Sequence, residues 1–184
     1  RLVNSGQSCI AAKRFIVVAA VRDRFVEAVV ERMRSATVGD PMLEATEVGP
    51  QAREDLRAVL HEQVEGSVAR GARLLLGGSI PSGPGWFYPP TVLTDVRLGM
   101  PAYREELFGP VATILEVPNR KQAIKVANDT PFGLGAALFT RDLAEGERIA
   151  REELNAGCCF VNAFVRSDPR LPFGGIGDSG YGRE

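Results

Sequence analysis

Apolar and polar positions along this chain follow two periods, one suited to buried strands and one to amphipathic helices. Phe15 to Val21 is an unbroken apolar run rich in Val and Ile, which predicts a buried strand. From Arg22 to Thr37, Val26, Val29, Val30 and Met33 fall at helical intervals. A loop through Gly39, Asp40 and Pro41 follows. Between Gln51 and Arg70, the series Leu56, Leu60, Val64, Val68, widened by Val59, predicts a second helix, with Gly71 at its C-terminal cap. Leu74 to Leu76 reads as a short strand closed by Gly77-Gly78, and residues 79–90 as a Pro/Gly-rich loop. Thr91 to Val96 and Val111 to Val117 suit strands. Asn119, with Gln122 three residues on, predicts a capped helix to about Asn128. Ala136 to Phe139 is strand-like, Asp142 with Glu145 opens a helix to about Glu153, and Cys158 to Val161 reads as a last buried strand. Residues 171–184 form a glycine-rich tail. Strands alternating with helices predict an α/β fold with a largely parallel sheet.

Composition narrows the function classes. The 184 residues are 45% hydrophobic and 24% charged, with 22 Lys plus Arg against 23 Asp plus Glu, a net charge of −1. That balance provides no overall field to draw in nucleic acid or an anionic membrane. No apolar run approaches the ~20 residues of a membrane span. The length suits one domain with a substantial core. Three cysteines, Cys9, Cys158 and Cys159, make neither a disulfide framework nor a metal cluster, so no metal site is expected and a reducing cytoplasm fits best. The chain opens on Arg1 with no recognisable signal peptide, and further residues upstream are expected.

Three segments carry candidate chemistry. Asn4-Ser5-Gly6-Gln7-Ser8 is a polar, glycine-containing turn leading to Cys9. A free cysteine is ordinarily a small core residue. A thiol at the end of such a turn also suits a nucleophile, because backbone N–H groups in a tight turn can stabilise a thiolate or an oxyanion. On the residues alone both readings stand. A Cys–His pair would need His61, the one histidine, which follows Leu60 off the apolar stripe and is expected to be a solvated surface residue. The segment Glu105-Glu106-Leu107-Phe108-Gly109-Pro110 is either ordinary loop or a place where Glu106 accepts hydrogen bonds from a sugar diol and Phe108 packs on a flat ring. Pro172-Phe173-Gly174-Gly175, with Gly177, Gly180 and Gly182, lacks the strand–GxGxxG–helix setting of a phosphate loop but could wall a pocket.

Taken in order, the motifs Asn4-x-Gly6-Gln7-x-Cys9, Glu106-Leu107-Phe108-Gly109-Pro110-Val111, Asn128-x-x-x-Phe132-Gly133-Leu134, Ala156-Gly157 with Val161-Asn162, and Pro172-Phe173-Gly174-Gly175 with Ser179-Gly180-x-Gly182-Arg183-Glu184 resemble the aldehyde dehydrogenase superfamily. The resemblance spans essentially the whole chain. It implies a catalytic-domain fold over residues 1–184 in which Cys9 attacks an aldehyde and passes through a thioester. It further implies that NAD or NADP is the cofactor, that Glu106 holds the nicotinamide ribose, that Phe108 and Leu134 contact the nicotinamide end, and that Phe173 lines the aldehyde tunnel. In that family the cofactor-binding domain, the water-activating glutamate and a second oxyanion donor precede the cysteine. A closing strand used in subunit exchange follows. None is assigned in these residues, so the chain by itself is expected to lack steady dehydrogenase turnover. A homo-oligomer is expected of the full-length enzyme.

Residues 85–91 and 167–175 look most similar to the succinate-semialdehyde dehydrogenase branch. There Ser167 and Arg166 would meet the substrate carboxylate, against the plainer reading of a solvated loop with an internal Arg–Asp pair. Ala11 stands where some members of that branch carry a redox partner cysteine, so no such switch is expected. The rivals are an isolated non-catalytic module of the same fold and a cysteine acyltransferase or hydrolase.

Overall fold

The computed structural model describes residues 1–184, which divide into two compact units, Arg1–Asn119 and Arg120–Glu184. Length and composition did not signal that division. No helix is long and apolar enough to cross a membrane.

The first unit is built on a four-stranded sheet of β1 (Arg14–Val18), β2 (Arg73–Leu76), β3 (Thr91–Thr94) and β4 (Val111–Val117), in the order β1-β4-β3-β2. β4 runs parallel to both β1 and β3, while β2 pairs antiparallel with β3 and is bulged between Leu74 and Leu76. β4 is central because nearly all of it is apolar, and all but Glu116 is buried. Helix α1 (Arg22–Arg34) lays Phe25, Val26, Val29, Val30 and Met33 against Val17, Val92, Ala112 and Ile114, as its spacing predicts. Helix α2 (Glu54–Ala69) is joined by the short α3 (Pro101–Arg104), whose Ala102 N–H donates to the Ser67 hydroxyl at 2.9 Å.

Several boundaries differ from the sequence pattern. The first strand ends at Val18, and residues 19–21 form a 3-10 turn, because β4 stops at Val117 before Pro118 and leaves them no partner. The third strand ends at Thr94, since Asp95 takes a left-handed φ of 58°. On α2 the buried line is Leu60, Val64 and Ser67, while Leu56, Val59 and Val68 are exposed. Each i+4 step turns the helix about 40° past a full circle, so a strict every-fourth series winds off the buried face at both ends.

The second unit contains α4 (Arg120–Asn128), β5 (Phe132–Gly133), β6 (Gly135–Leu138), α5 (Leu143–Glu152), β7 (Cys158–Val161) and β8 (Ile176–Gly177). β6 and β7 pair in parallel, and β5 and β8 form a two-residue antiparallel ladder. β7 is half-buried along its whole length rather than fully buried, because β6 is its one strand partner. The Asp142 side chain caps α5 by accepting from the Glu145 N–H at 3.0 Å.

Candidate active site

The segment before Cys9 is braced rather than loose. Asn4, Ser5 and Gly6 all have positive φ, and the Gln7 N–H closes the turn on the Asn4 carbonyl at 2.9 Å. The Ser5 hydroxyl is buried and accepts from the Gly49 N–H at 2.9 Å. The Gln7 amide donates to the Pro50 carbonyl at 3.1 Å and accepts from the Ala52 N–H at 2.8 Å. Short polar residues are therefore needed here to tie one turn to the backbone of residues 49–52. Gly6 meets the 106–110 segment directly: a Cβ on it would sit 2.1 Å from the Gly109 carbonyl oxygen. Held this way, Cys9 is exposed in the following turn, closed by Ala11 N–H donating to the Ser8 carbonyl at 3.1 Å. The core reading of this thiol is excluded by its exposure.

Glu106 and Phe108 stand beside that turn, exposed, while Leu107 between them is buried. Lys13 joins the pieces. Its ammonium lies 3.1 Å from Glu106 Oε1, donates to the Ser8 carbonyl at 2.5 Å and the Cys9 carbonyl at 3.3 Å, and sits 5.2 Å from the centre of the Phe108 ring. Burial of its stem pulls the Lys13 ammonium below its ordinary pKa, with the Arg1 cation adding to the fall and Glu106 opposing it. The Arg1 guanidinium forms a second staple between the same segments. It donates to the carbonyls of Gly6, Ala11 and Ala12 on one side and of Leu107 and Gly109 on the other. Burial lowers its pKa to about 10, against the pull of Glu106.

The remaining candidates lie in the second unit. Leu134, between β5 and β6, is half-buried and its carbonyl accepts from the Cys158 N–H at 3.2 Å. The Phe173 and Glu184 backbones exchange hydrogen bonds at 2.9 and 3.0 Å, which folds the glycine-rich tail on itself. A Cβ on Gly157 would lie 1.7 Å from the Gly174 carbonyl oxygen and 3.0 Å from that of Leu134, so glycine lets these backbones close together. Arg166 and Ser167 are exposed. Of the two arginines in this loop, Arg170 is engaged internally, its guanidinium 2.7 Å from Asp168, whose carboxyl is held down to about 2 chiefly by that hydrogen bond. His61 departs from expectation. It is half-buried, with Nδ1 3.2 Å from the Tyr88 hydroxyl and Nε2 3.5 Å from Glu65, so both ring nitrogens have partners on the α2 side of the sheet rather than at Cys9.

The family model described as "Aldehyde dehydrogenase family" matches residues 1–184. The chain belongs to the aldehyde dehydrogenase family. It is 50% identical over all 184 residues to a succinate-semialdehyde dehydrogenase (NADP(+)) of Mycobacterium avium and 48% identical to a probable succinate-semialdehyde dehydrogenase (NADP(+)) of Synechocystis, covering 39% and 40% of those proteins. Among solved structures, succinic semialdehyde dehydrogenase from Streptococcus pyogenes in complex with NADP+ superposes with a TM-score of 0.95 at 38% identity, over all of this chain and 40% of that one. Lactaldehyde dehydrogenase from Escherichia coli superposes with a TM-score of 0.95 at 33% identity, over all of this chain and 38% of that one. This aldehyde dehydrogenase chain thus spans about two-fifths of the length of the relatives it matches.

Two residues that brace the candidate site of this aldehyde dehydrogenase chain escape a motif-based reading, Lys13 and Arg1. Lys13 offers a faint signal, the first of two adjacent cations between the cysteine turn and an apolar run. Arg1 offers none, because all five of its acceptors are main-chain carbonyls, which every residue type carries.

Proposed function

We propose that this chain is the cysteine-bearing part of an aldehyde dehydrogenase that uses NADP or NAD to oxidise succinic semialdehyde to the dicarboxylic acid. One observation carries the reading: about 50% identity along the entire chain to succinate-semialdehyde dehydrogenases, in a fold that exposes Cys9 beside Glu106 and Phe108. In this reading the Cys9 thiolate attacks the aldehyde carbon. The Cys9 N–H, which donates to no protein group, supports the oxygen that becomes negative. An exposed carboxylate and an exposed aromatic ring on one loop fit a ribose diol and a flat heteroaromatic ring, so Glu106 and Phe108 would hold the nicotinamide half of the dinucleotide. When bound, that cofactor supplies the hydride acceptor. Cys9 is left as a thioester, which water activated by a carboxylate outside these residues hydrolyses. The family resemblance supports Leu134 for the nicotinamide end, Phe173 for the aldehyde tunnel and Ser167 with Arg166 for the substrate carboxylate; the exposed guanidinium of Arg166 is in keeping with that role. The family resemblance supports an upstream cofactor domain as partner and a homo-oligomeric complete enzyme. Three free cysteines support a cytoplasmic setting.

The test is steady-state nucleotide reduction by the complete polypeptide that carries these residues. Succinic semialdehyde is expected to be preferred over an uncharged aldehyde of similar length, and Cys9→Ser to lower kcat by about a thousandfold or more. Equal use of both aldehydes sinks the substrate, and acyl transfer with no nucleotide requirement sinks the oxidoreductase reading. Residues 1–184 by themselves are expected to give no steady turnover.

A further inference from the structure

We propose that Lys13 is a positioning residue of this site: it fixes the Glu106 carboxylate and fastens it to the turn that carries the nucleophile. This inference rests on the function proposed above and adds to it a residue outside the recognisable motifs. The geometry is convergent. One ammonium reaches the Glu106 carboxylate, the consecutive carbonyls of Ser8 and Cys9 and the face of Phe108. Its side chain is 16% exposed, against 40% for Glu106, so the cation is the fixed partner and the carboxylate the open one. Both ends are anchored in paired strands. Lys13 immediately precedes β1, the 106–110 segment immediately precedes β4, and the two strands run parallel from Arg14 opposite Thr113. The segments therefore enter the sheet at the same end, and a side-chain bridge between them is short. Arg1 ties the same two segments through main-chain carbonyls alone. Lys13 alone of the two bonds a side chain that would touch cofactor, so its loss frees the carboxylate while Arg1 still ties the two segments together.

An ordinary exposed ion pair contributes little to stability and would leave catalysis unchanged. The experiment therefore reads function, in the complete enzyme. Lys13→Met keeps the aliphatic stem and removes the charge. It is expected to raise the KM for the dinucleotide about tenfold, the loss of one charge-assisted hydrogen bond. The KM for the aldehyde should stay within about twofold. Lys13→Arg should restore most of the loss. The double variant Lys13→Met/Glu106→Gln should be no worse than Glu106→Gln, since the two residues act as one unit. A readout independent of turnover, which needs no Lys13 variant and so survives misfolding of Lys13→Met, is amine labelling of Lys13. It should accelerate in Glu106→Gln, where the ammonium loses its partner. An unchanged dinucleotide KM, additive effects in the double variant, or unaltered Lys13 labelling in Glu106→Gln overturns the inference. A wild-type enzyme that reduces no nucleotide overturns the functional reading itself, whereas an active one with an indifferent Lys13→Met overturns this inference alone.

Discussion

Cys9 differs from the other two cysteines in ways that a single experiment can read. It is exposed, whereas Cys158 and Cys159 lie half-buried on β7. Burial pushes both of those thiols above the ordinary range; Arg183 partly offsets it at Cys158, and Cys158 adds to it at Cys159. Alkylation requires thiolate, so a raised pKa and a covered sulfur both slow it. Native residues 1–184 treated with iodoacetamide near pH 8 are expected to label at Cys9 first, by about tenfold or more over either neighbour, with the difference vanishing in denaturant. Peptide mass spectrometry against time checks this; equal native rates would show that the thiol environments do not differ as described. Gly6 makes a second residue-scale case. Its φ of 74° and the 2.1 Å approach of a would-be Cβ to the Gly109 carbonyl leave no room for a side chain. Gly6→Ala is expected to cost roughly 2–4 kcal/mol in urea unfolding, from left-handed strain plus backbone displacement. The motif reading singles out Cys9, Glu106 and Phe108 from side-chain identity. It missed the Lys13 and Arg1 staples because those depend on which carbonyls the fold brings near them.

At the scale of elements, legibility followed partner number. β4 was visible to the residue, Val111 to Val117, since a central strand buried along most of its length is apolar along most of it, with Thr113 and Glu116 the two polar positions. The end of β1 was invisible, because its apolar run continues past the point where β4 turns away at Pro118. α3 and the β5–β8 ladder are too short to show any period, and the ladder rests on a pairing of Phe132 with Gly177 that no local pattern encodes. α5 lies at the other extreme: Asp142 followed by Glu145 marks its start, and the side-chain cap is present. Asp142→Ala is expected to cost about 1 kcal/mol, while Asp142→Ser, which can still accept from the Glu145 N–H, should recover most of it. Urea midpoints of the two variants decide between capping and a general charge effect, since loss of charge alone would make them equal.

For the whole molecule, the distribution of buried apolar side chains sets where stability resides. Every buried hydrophobic residue except Ile149 belongs to residues 1–119, and the largest fully buried ones are Tyr88, Leu60, Leu93, Leu107 and Ile114, with Leu93 and Ile114 on the four-stranded sheet itself. Residues 120–184 instead leave Phe139, Leu143, Phe164 and Leu171 exposed, with the Phe139 and Phe164 rings 5.7 Å apart at the surface. Their order comes mainly from backbone pairing and from polar clasps, such as Asn128 bonding both the Glu153 carbonyl and the Asn155 N–H. Hydrogen bonds without apolar cover contribute little net free energy and open readily. Native-state hydrogen exchange is therefore expected to protect β4 amides to the level of global unfolding, while β6 and β7 amides exchange at least roughly tenfold faster through local opening. Uniform protection across both units would mean that residues 120–184 draw stability from something other than their own core. If the complete polypeptide covers this exposed aromatic pair, burying either ring stabilises these residues by roughly 1.5–3 kcal/mol. The exchange gap between the two units should then narrow in the complete enzyme, and a gap of unchanged size would show that these rings stay solvated there.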